Sequence, residues 1–270
     1  MKRLSTLHYP LTQWLTRRLF GESTLLARAG LPGMPLAWKP WYFLSGGAIR
    51  VFFEVVARWE RVGMENIPAE GGFILASNHV ASTDPPMLAA AIFPRWPKFM
   101  AKLELFQKRP LIGILFAWAG AFPVRRFDAD LAALREAERQ LAAGEILGMF
   151  PEGHRSDNAS LLEAYPGTAL IALRSGAPIV PVGITGSEQF RQGWRVIFRR
   201  PRMRMVYGKP FVLEAETVRR ADVEAGTERI MREIAALIPA EYRGVYRDRF
   251  PDLSAQASVD IGTKRSATPS

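Results

Sequence analysis

The sequence predicts an α/β fold: a single domain with a central mixed, largely parallel sheet flanked by helices, plus an N-terminal amphipathic helical membrane-association segment. Two observations predict the sheet. Short apolar runs recur between amphipathic stretches of helical length from residue 72 to residue 238, and Gly, Pro, Asn or Asp bounds nearly every run. A third observation, a 3.6-residue apolar period over 38–61, predicts the helical segment. At 270 residues the chain is long enough to bury a full core as one domain.

Residues 1–34 are mixed in character, and LPGMP at 31–35 breaks any helix there. Over 38–61, Ile49, Phe52, Phe53 and Val56 fall at i, i+3, i+4 and i+7, while Arg50, Glu54 and Arg58 line another face. Such a segment lies flat in a lipid interface or packs on the domain, and the two are compatible. Strands are expected at 73–78 (FILASN), 97–101 (PKFMA), 121–124 (AFPV), 146–150 (ILGMF) and 179–184 (IVPVGI). Helices are expected at 85–92, from 102 to about 117, at 128–143 stopped by Gly144, and at 162–175 stopped by Gly176. A basic hairpin over 191–209 and a last amphipathic helix over 222–238 follow, and the polar run from Asp252 is expected to be disordered. The expected organisation is 1–60 as the membrane-associating segment, 61–250 as the catalytic domain and 251–270 as a tail.

Composition removes several function classes. The chain has no cysteine, which excludes disulfides, thiolate zinc sites and cysteine nucleophiles. A formal charge of +10 favours an anionic partner: a membrane surface, a nucleic acid or a phosphorylated substrate. The basic N-terminus lacks the apolar run of a signal peptide, so no export is expected. The longest charge-free apolar stretch, PLIGILFAWAGAFPV at 110–124, is shorter than the ~20 residues a transmembrane helix needs and carries Pro110, Gly113 and Gly120.

Four motifs carry the functional signal. In SNHVASTDPP, His79 precedes Asp84 by five positions in a turn-rich loop between an expected strand and an expected helix, where functional loops of α/β folds gather. An imidazole with an ordinary pKa of ~6.5 is suited to taking a proton near neutral pH, and a carboxylate on its other nitrogen would fix the tautomer. The pair alone is a weak signal. No G-x-S-x-G elbow accompanies it, so the nucleophile is expected to belong to the substrate. In FPEGHRS, Gly153 lets backbone approach a ligand, Arg155 offers a fork of donors for phosphate, and Glu152 can accept from hydroxyls. The alternative is a surface turn whose Glu and Arg pair with each other. GAFPVRR ends a strand in Arg125 and Arg126, which are solvated or add phosphate-binding charge together with Lys102. VPVGITG is read as core strand.

In this order the four blocks resemble the glycerophospholipid acyltransferase family, in particular its bacterial 1-acyl-glycerol-3-phosphate acyltransferases. The likeness covers about residues 60–215. The blocks stand as Asn78 to Asp84, Gly120 to Arg126, Phe150 to Ser156 and Val180 to Gly183. The resemblance implies that His79 deprotonates the hydroxyl of a lysophospholipid with Asp84 orienting it, and that this oxygen attacks the thioester of acyl-CoA or acyl-carrier protein directly. Glu152, Gly153 and Arg155 would hold the acceptor, Arg126 and Lys102 would neutralise its phosphate, and loop amides near Gly153 would stabilise the oxyanion. No cofactor and no metal are implied. The partners implied are the thioester donor, a lysophospholipid and an anionic membrane surface, at the cytoplasmic face of the cell membrane. Two departures, His154 where the family usually has threonine and the absence of a lysine from EAYPG, bear on the acceptor more than on the reaction.

Between Arg191 and Lys209 stand seven basic residues and no acidic one. In RMRMV, Arg202 and Arg204 share one strand face and Met203 and Met205 the other. That surface is solvated or faces lipid headgroups or an acidic carrier protein. Nucleic-acid binding is the rival from another class, but the aromatics do not interleave with the basic run. A non-catalytic lipid-binding protein would need neither His79 nor Asp84. An acyltransferase of the same family acting on another lipid acceptor is the nearest alternative.

Overall fold

The computed structural model describes residues 39–102, 121–124 and 131–253. Seven strands form one sheet: β1 (Arg58–Val62), β2 (Phe73–Ser77), β3 (Lys98–Lys102), β4 (Phe122–Val124), β5 (Ile146–Met149), β6 (Ile179–Thr185) and β7 (Arg202–Tyr207). Their order across the sheet is β1-β7-β6-β2-β5-β3-β4. β6, β2, β5, β3 and β4 are mutually parallel, β7 runs antiparallel to β6, and β1 is parallel to β7. The helices described are α1 (Lys39–Val56), α2 (Asp84–Ala91), α3 (Leu131–Ala142), α4 (Gly167–Ser175), the short α5 (Val196–Arg199) and α6 (Arg220–Ala236).

The pleat explains why the central strands read as unbroken apolar runs. Both faces of β2 are covered, so successive residues enter opposite cores. Phe73 and Leu75 join Phe53, Val56, Met87, Leu88, Val180 and Met205 on the α1 and α2 side. Ile74 and Ala76 join Leu147, Leu141, Ile171, Ile230 and Ile234 on the side of α3, α4 and α6. Gly176, left-handed at φ 64°, ends α4 by donating its N–H to the Ala172 carbonyl at 2.9 Å, as its place after the apolar period predicts. One charged pair lies inside: Lys98 Nζ stands 3.5 Å from Glu145 Oε2, and burial pulls the Lys98 ammonium down to about 8 against the pull of that carboxylate.

Three expectations are corrected. The helix over 38–61 stops at Val56, and Arg58–Val62 is instead a strand, because its backbone pairs with β7 and Trp59 Nε1 reaches Met205 Sδ. β1 therefore crosses the expected boundary at residue 60, and Phe53 and Val56 lie in the domain's own core. The expected hairpin over 191–209 is not one: Ser187–Arg195 forms a 3-10 turn and α5 follows, with only Arg202–Tyr207 extended. Within that strand the alternation holds, since Met203 and Met205 are buried and Arg202 and Arg204 exposed. The helix expected from 162 starts at Gly167, because the chain before it is spent bracing the neighbouring loop: Leu162 N–H goes to Glu152, and Tyr165 N–H to the Pro151 carbonyl. The tail expected from 251 begins later, since Leu253 packs into the core and Asp252 pairs with Arg232, while the helix expected after 102 and the tail beyond Leu253 lie outside the described residues.

Candidate active site

Because β5, β2 and β6 are adjacent and parallel, the loops that leave their C-terminal ends emerge side by side at one edge of the sheet. The β2 loop carries His79 and Asp84, the β5 loop carries residues 150–158, and the β6 loop is the segment Ser187–Arg195. Asn78 anchors the first. Its side chain donates to the Ile184 carbonyl at 2.8 Å and accepts from the Ile184 amide at 2.7 Å, imitating one more rung of the β2–β6 ladder.

His79 Nδ1 lies 3.0 Å from Asp84 Oδ2. The same oxygen accepts from the amides of Val80 at 2.6 Å and Ala81 at 2.7 Å. An oxygen that accepts from two amides is an acceptor toward the imidazole as well, so the hydrogen between them sits on Nδ1, and Nε2 has no partner among the described residues. Asp84 is wholly buried and opens α2, where the helix N-terminus favours negative charge. The His79 side chain is 12% exposed and stacks on Phe150, with ring centroids 4.1 Å apart. Phe150 in turn stacks on Phe99. Among the described residues no hydroxyl bonds to this imidazole: Ser82 Oγ accepts from Arg155, and Ser156 Oγ donates to Asn158. The arrangement is an imidazole held by a carboxylate, with no hydroxyl bonded to it among the described residues.

Glu152 differs from the expectation that it holds the acceptor. It is 1% exposed, and its oxygens accept from the amides of His79 and Leu162, each at 2.8 Å. It ties the β5 loop to the residue that carries the imidazole. Gly153 is left-handed at φ 69°, and a Cβ there would come within 2.9 Å of the Tyr165 ring. Its amide is spent on the Phe150 carbonyl at 2.9 Å, and the Ser156 amide on the His79 carbonyl at 2.9 Å, so these two loop amides are not the free donors expected for an oxyanion. Arg155 is exposed at the mouth, bonded to Ser82 rather than to Glu152. Lys102 ends β3 at the same edge, in register with Val124, while Arg126 lies outside the described residues. The sequence motifs contain Asn78 and Phe150 without indicating a role for either, and the basic run that contains Arg191 reads as a surface. All three take their places from long-range contacts.

Burial pushes the Glu152 carboxyl up to about 7, the Asp84 charge adds to the rise, and its two amide hydrogen bonds oppose it. A carboxyl with a higher pKa folded than unfolded favours the fold most below its ordinary 4.5 and loses that contribution as pH rises through about 7. Glu152→Gln removes this titration. Between about pH 5 and about pH 8, wild type is expected to lose about 2 kcal/mol more unfolding free energy than the variant, measured by urea denaturation. Parallel profiles for the two proteins would contradict the assignment.

The sequence profile of the acyltransferase family matches residues 58–185, which contain both the His79 and Glu152 loops. A 1-acyl-sn-glycerol-3-phosphate acyltransferase of Bacillus subtilis is 30% identical over 169 residues, 63% of this chain and 81% of the relative. One from Streptococcus pneumoniae is 27% identical over 213 residues, 78% of this chain and 77% of the relative. Among solved structures, the 1-acyl-sn-glycerophosphate acyltransferase of Thermotoga maritima aligns over 87% of this chain and 95% of its own, with a TM-score of 0.57 at 22% identity, a likeness of fold. The motif order, the fold and the extent of the Bacillus match agree: this chain belongs to the acyltransferase family.

Proposed function

We propose that the protein moves a fatty acyl group from an acyl thioester, acyl-CoA or acyl-carrier protein, to the free hydroxyl of 1-acyl-sn-glycerol-3-phosphate, giving phosphatidic acid for phospholipid biosynthesis. The observation that carries this reading is the His79–Asp84 pair with no hydroxyl on the imidazole among the described residues. Relatives named for this reaction support the acceptor.

In this mechanism Nε2 of His79 takes the hydroxyl proton as the acceptor oxygen attacks the thioester carbonyl. Asp84 Oδ2, held by the Val80 and Ala81 amides, stabilises the imidazolium. The tetrahedral intermediate collapses with loss of thiolate, which takes the proton from His79, and the base is restored. Arg155, exposed and bonded to Ser82 between His79 and Asp84, would meet the acceptor phosphate, with Lys102 and Arg126 as further cations and Gly153 giving the loop its close approach. Purified protein is expected to release thiol only with lysophosphatidate present. His79→Ala should lower the rate by on the order of 10²–10⁴-fold. Asp84→Asn should lower it within that same range and by no more than His79→Ala, since the wrong tautomer disables the imidazole through which Asp84 acts. Full activity in folded His79→Ala would overturn the mechanism.

The proposed site of action is the cytoplasmic surface of an anionic membrane. No helix among the described residues is long and apolar enough to cross a membrane. The outward face of α1 nonetheless presents Leu44, Val51, Phe52 and Val55, from 48% to 62% exposed. Exposed Arg195, Arg199 and Arg200 lie on the neighbouring segment, and Arg200 reaches the Glu54 carbonyl. An apolar face edged by arginines suits a headgroup layer. Placing Asp at Val51, Phe52 and Val55 together should abolish sedimentation with phosphatidylglycerol vesicles. Unchanged binding would exclude this face.

A further inference from the structure

The β6 loop contributes one side chain to the other two loops. Arg191 donates from Nη1 to the Asp157 carbonyl and from Nη2 to the carbonyls of Val80 and Ser156. No carboxylate pairs with it among the described residues. A guanidinium at the active edge of the sheet is thus bound to three backbone oxygens, one in the His79 loop and two in the β5 loop.

The Val80 carbonyl belongs to the same peptide plane as the Ala81 amide, and that amide donates to Asp84 Oδ2 at 2.7 Å. One plane is therefore gripped at both ends, its oxygen by Arg191 and its hydrogen by the carboxylate that holds His79 Nδ1. Ser156 is held through both of its flanking peptide planes: its carbonyl accepts from Arg191, and its amide donates to the His79 carbonyl at 2.9 Å. A cation on a peptide oxygen also polarises the N–H across the plane, which strengthens the bond to Asp84.

We infer that Arg191 is a positioning residue for the His79–Asp84 dyad, fixing the Val80–Ala81 peptide whose N–H holds the Asp84 carboxylate and locking the β5 loop against it; this rests on the proposed function of the dyad. It acts through the backbone, not on substrate. Arginine suits the task because its planar fork serves several acceptors at once, whereas lysine presents a single compact head on a different stem.

The test joins a structural readout to a kinetic one. Hydrogen exchange at residues 79–82 and 155–158 in full-length Arg191→Ala should be at least about tenfold faster than in wild type, as for backbone freed to open locally, with β7 unchanged. With acyl-CoA and lysophosphatidate, kcat should fall on the order of 10- to 100-fold, as a slight misplacement of a base costs, while acceptor KM stays within about threefold. Arg191→Lys should not restore kcat, and Arg220→Ala, on the far-exposed start of α6, should match wild type. Unchanged exchange in both loops, or kcat within about threefold of wild type, would overturn the inference, and so would full rescue by lysine. If Arg191→Ala fails to fold, Arg191→Lys carries the same two readouts. Should wild type itself release no thiol, the proposed reaction fails while the exchange measurement still decides whether Arg191 holds the loops.

Discussion

Asp84 Oδ2 accepts three hydrogens, from His79 Nδ1 and from the Val80 and Ala81 amides, and the rest of the site is arranged to make that possible. A carboxylate taken wholly out of water is costly unless donors surround it. Here the donors all reach Oδ2 from one tight turn between β2 and α2, Oδ1 has no hydrogen-bond partner among the described residues, and the helix N-terminus adds a favourable field. The loop is short of partners on its other side, and the sheet supplies them. Asn78 binds it to β6, Glu152 binds it from β5, and the Ser156 amide closes on the His79 carbonyl. All of this needs the parallel order β6-β2-β5, since only then do the three loops open at the same edge.

Glu152 illustrates how the site is braced at some energetic expense. Its two acceptor positions are filled by amides of two different segments, which is what fixes the loop, yet its burial raises its pKa to about 7. A less buried residue would titrate normally and hold less well. The His79 ring is restrained by geometry, with Asp84 on one ring nitrogen and the Phe150 ring across one face, leaving few orientations for the imidazole.

Much of this was legible in the residues. The apolar runs of β2, β3, β5 and β6 are bounded by Gly, Pro and Asn, and their observed limits fall within a residue or so of the expected ones. His79 and Asp84 were found because their spacing lies in one loop and local turn geometry joins them. What failed was decided by distant pairing. Arg58–Val62 continues a helical pattern and carries three charged side chains, and only β7, some 144 positions away in register, makes it a strand. Residues 191–200 hold aromatic and basic residues that read as the first strand of a hairpin, but they turn instead and leave Arg191 over the site. The inward direction of Glu152 has no local signal, since a Glu beside Gly in a polar turn normally faces water. Asn78 and Arg191 act on partners 106 and 111 positions away, which no periodicity encodes.

The central claim is that the acyl group passes straight to the acceptor oxygen, with the protein supplying only a held base. It is tested most directly by rapid mixing of purified protein with acyl-CoA alone, following thiol release and the intact protein mass. The account predicts no burst of thiol and an unshifted mass until lysophosphatidate is added. A stoichiometric burst, with the protein heavier by one acyl group, would mean that a side chain is the nucleophile and would contradict it.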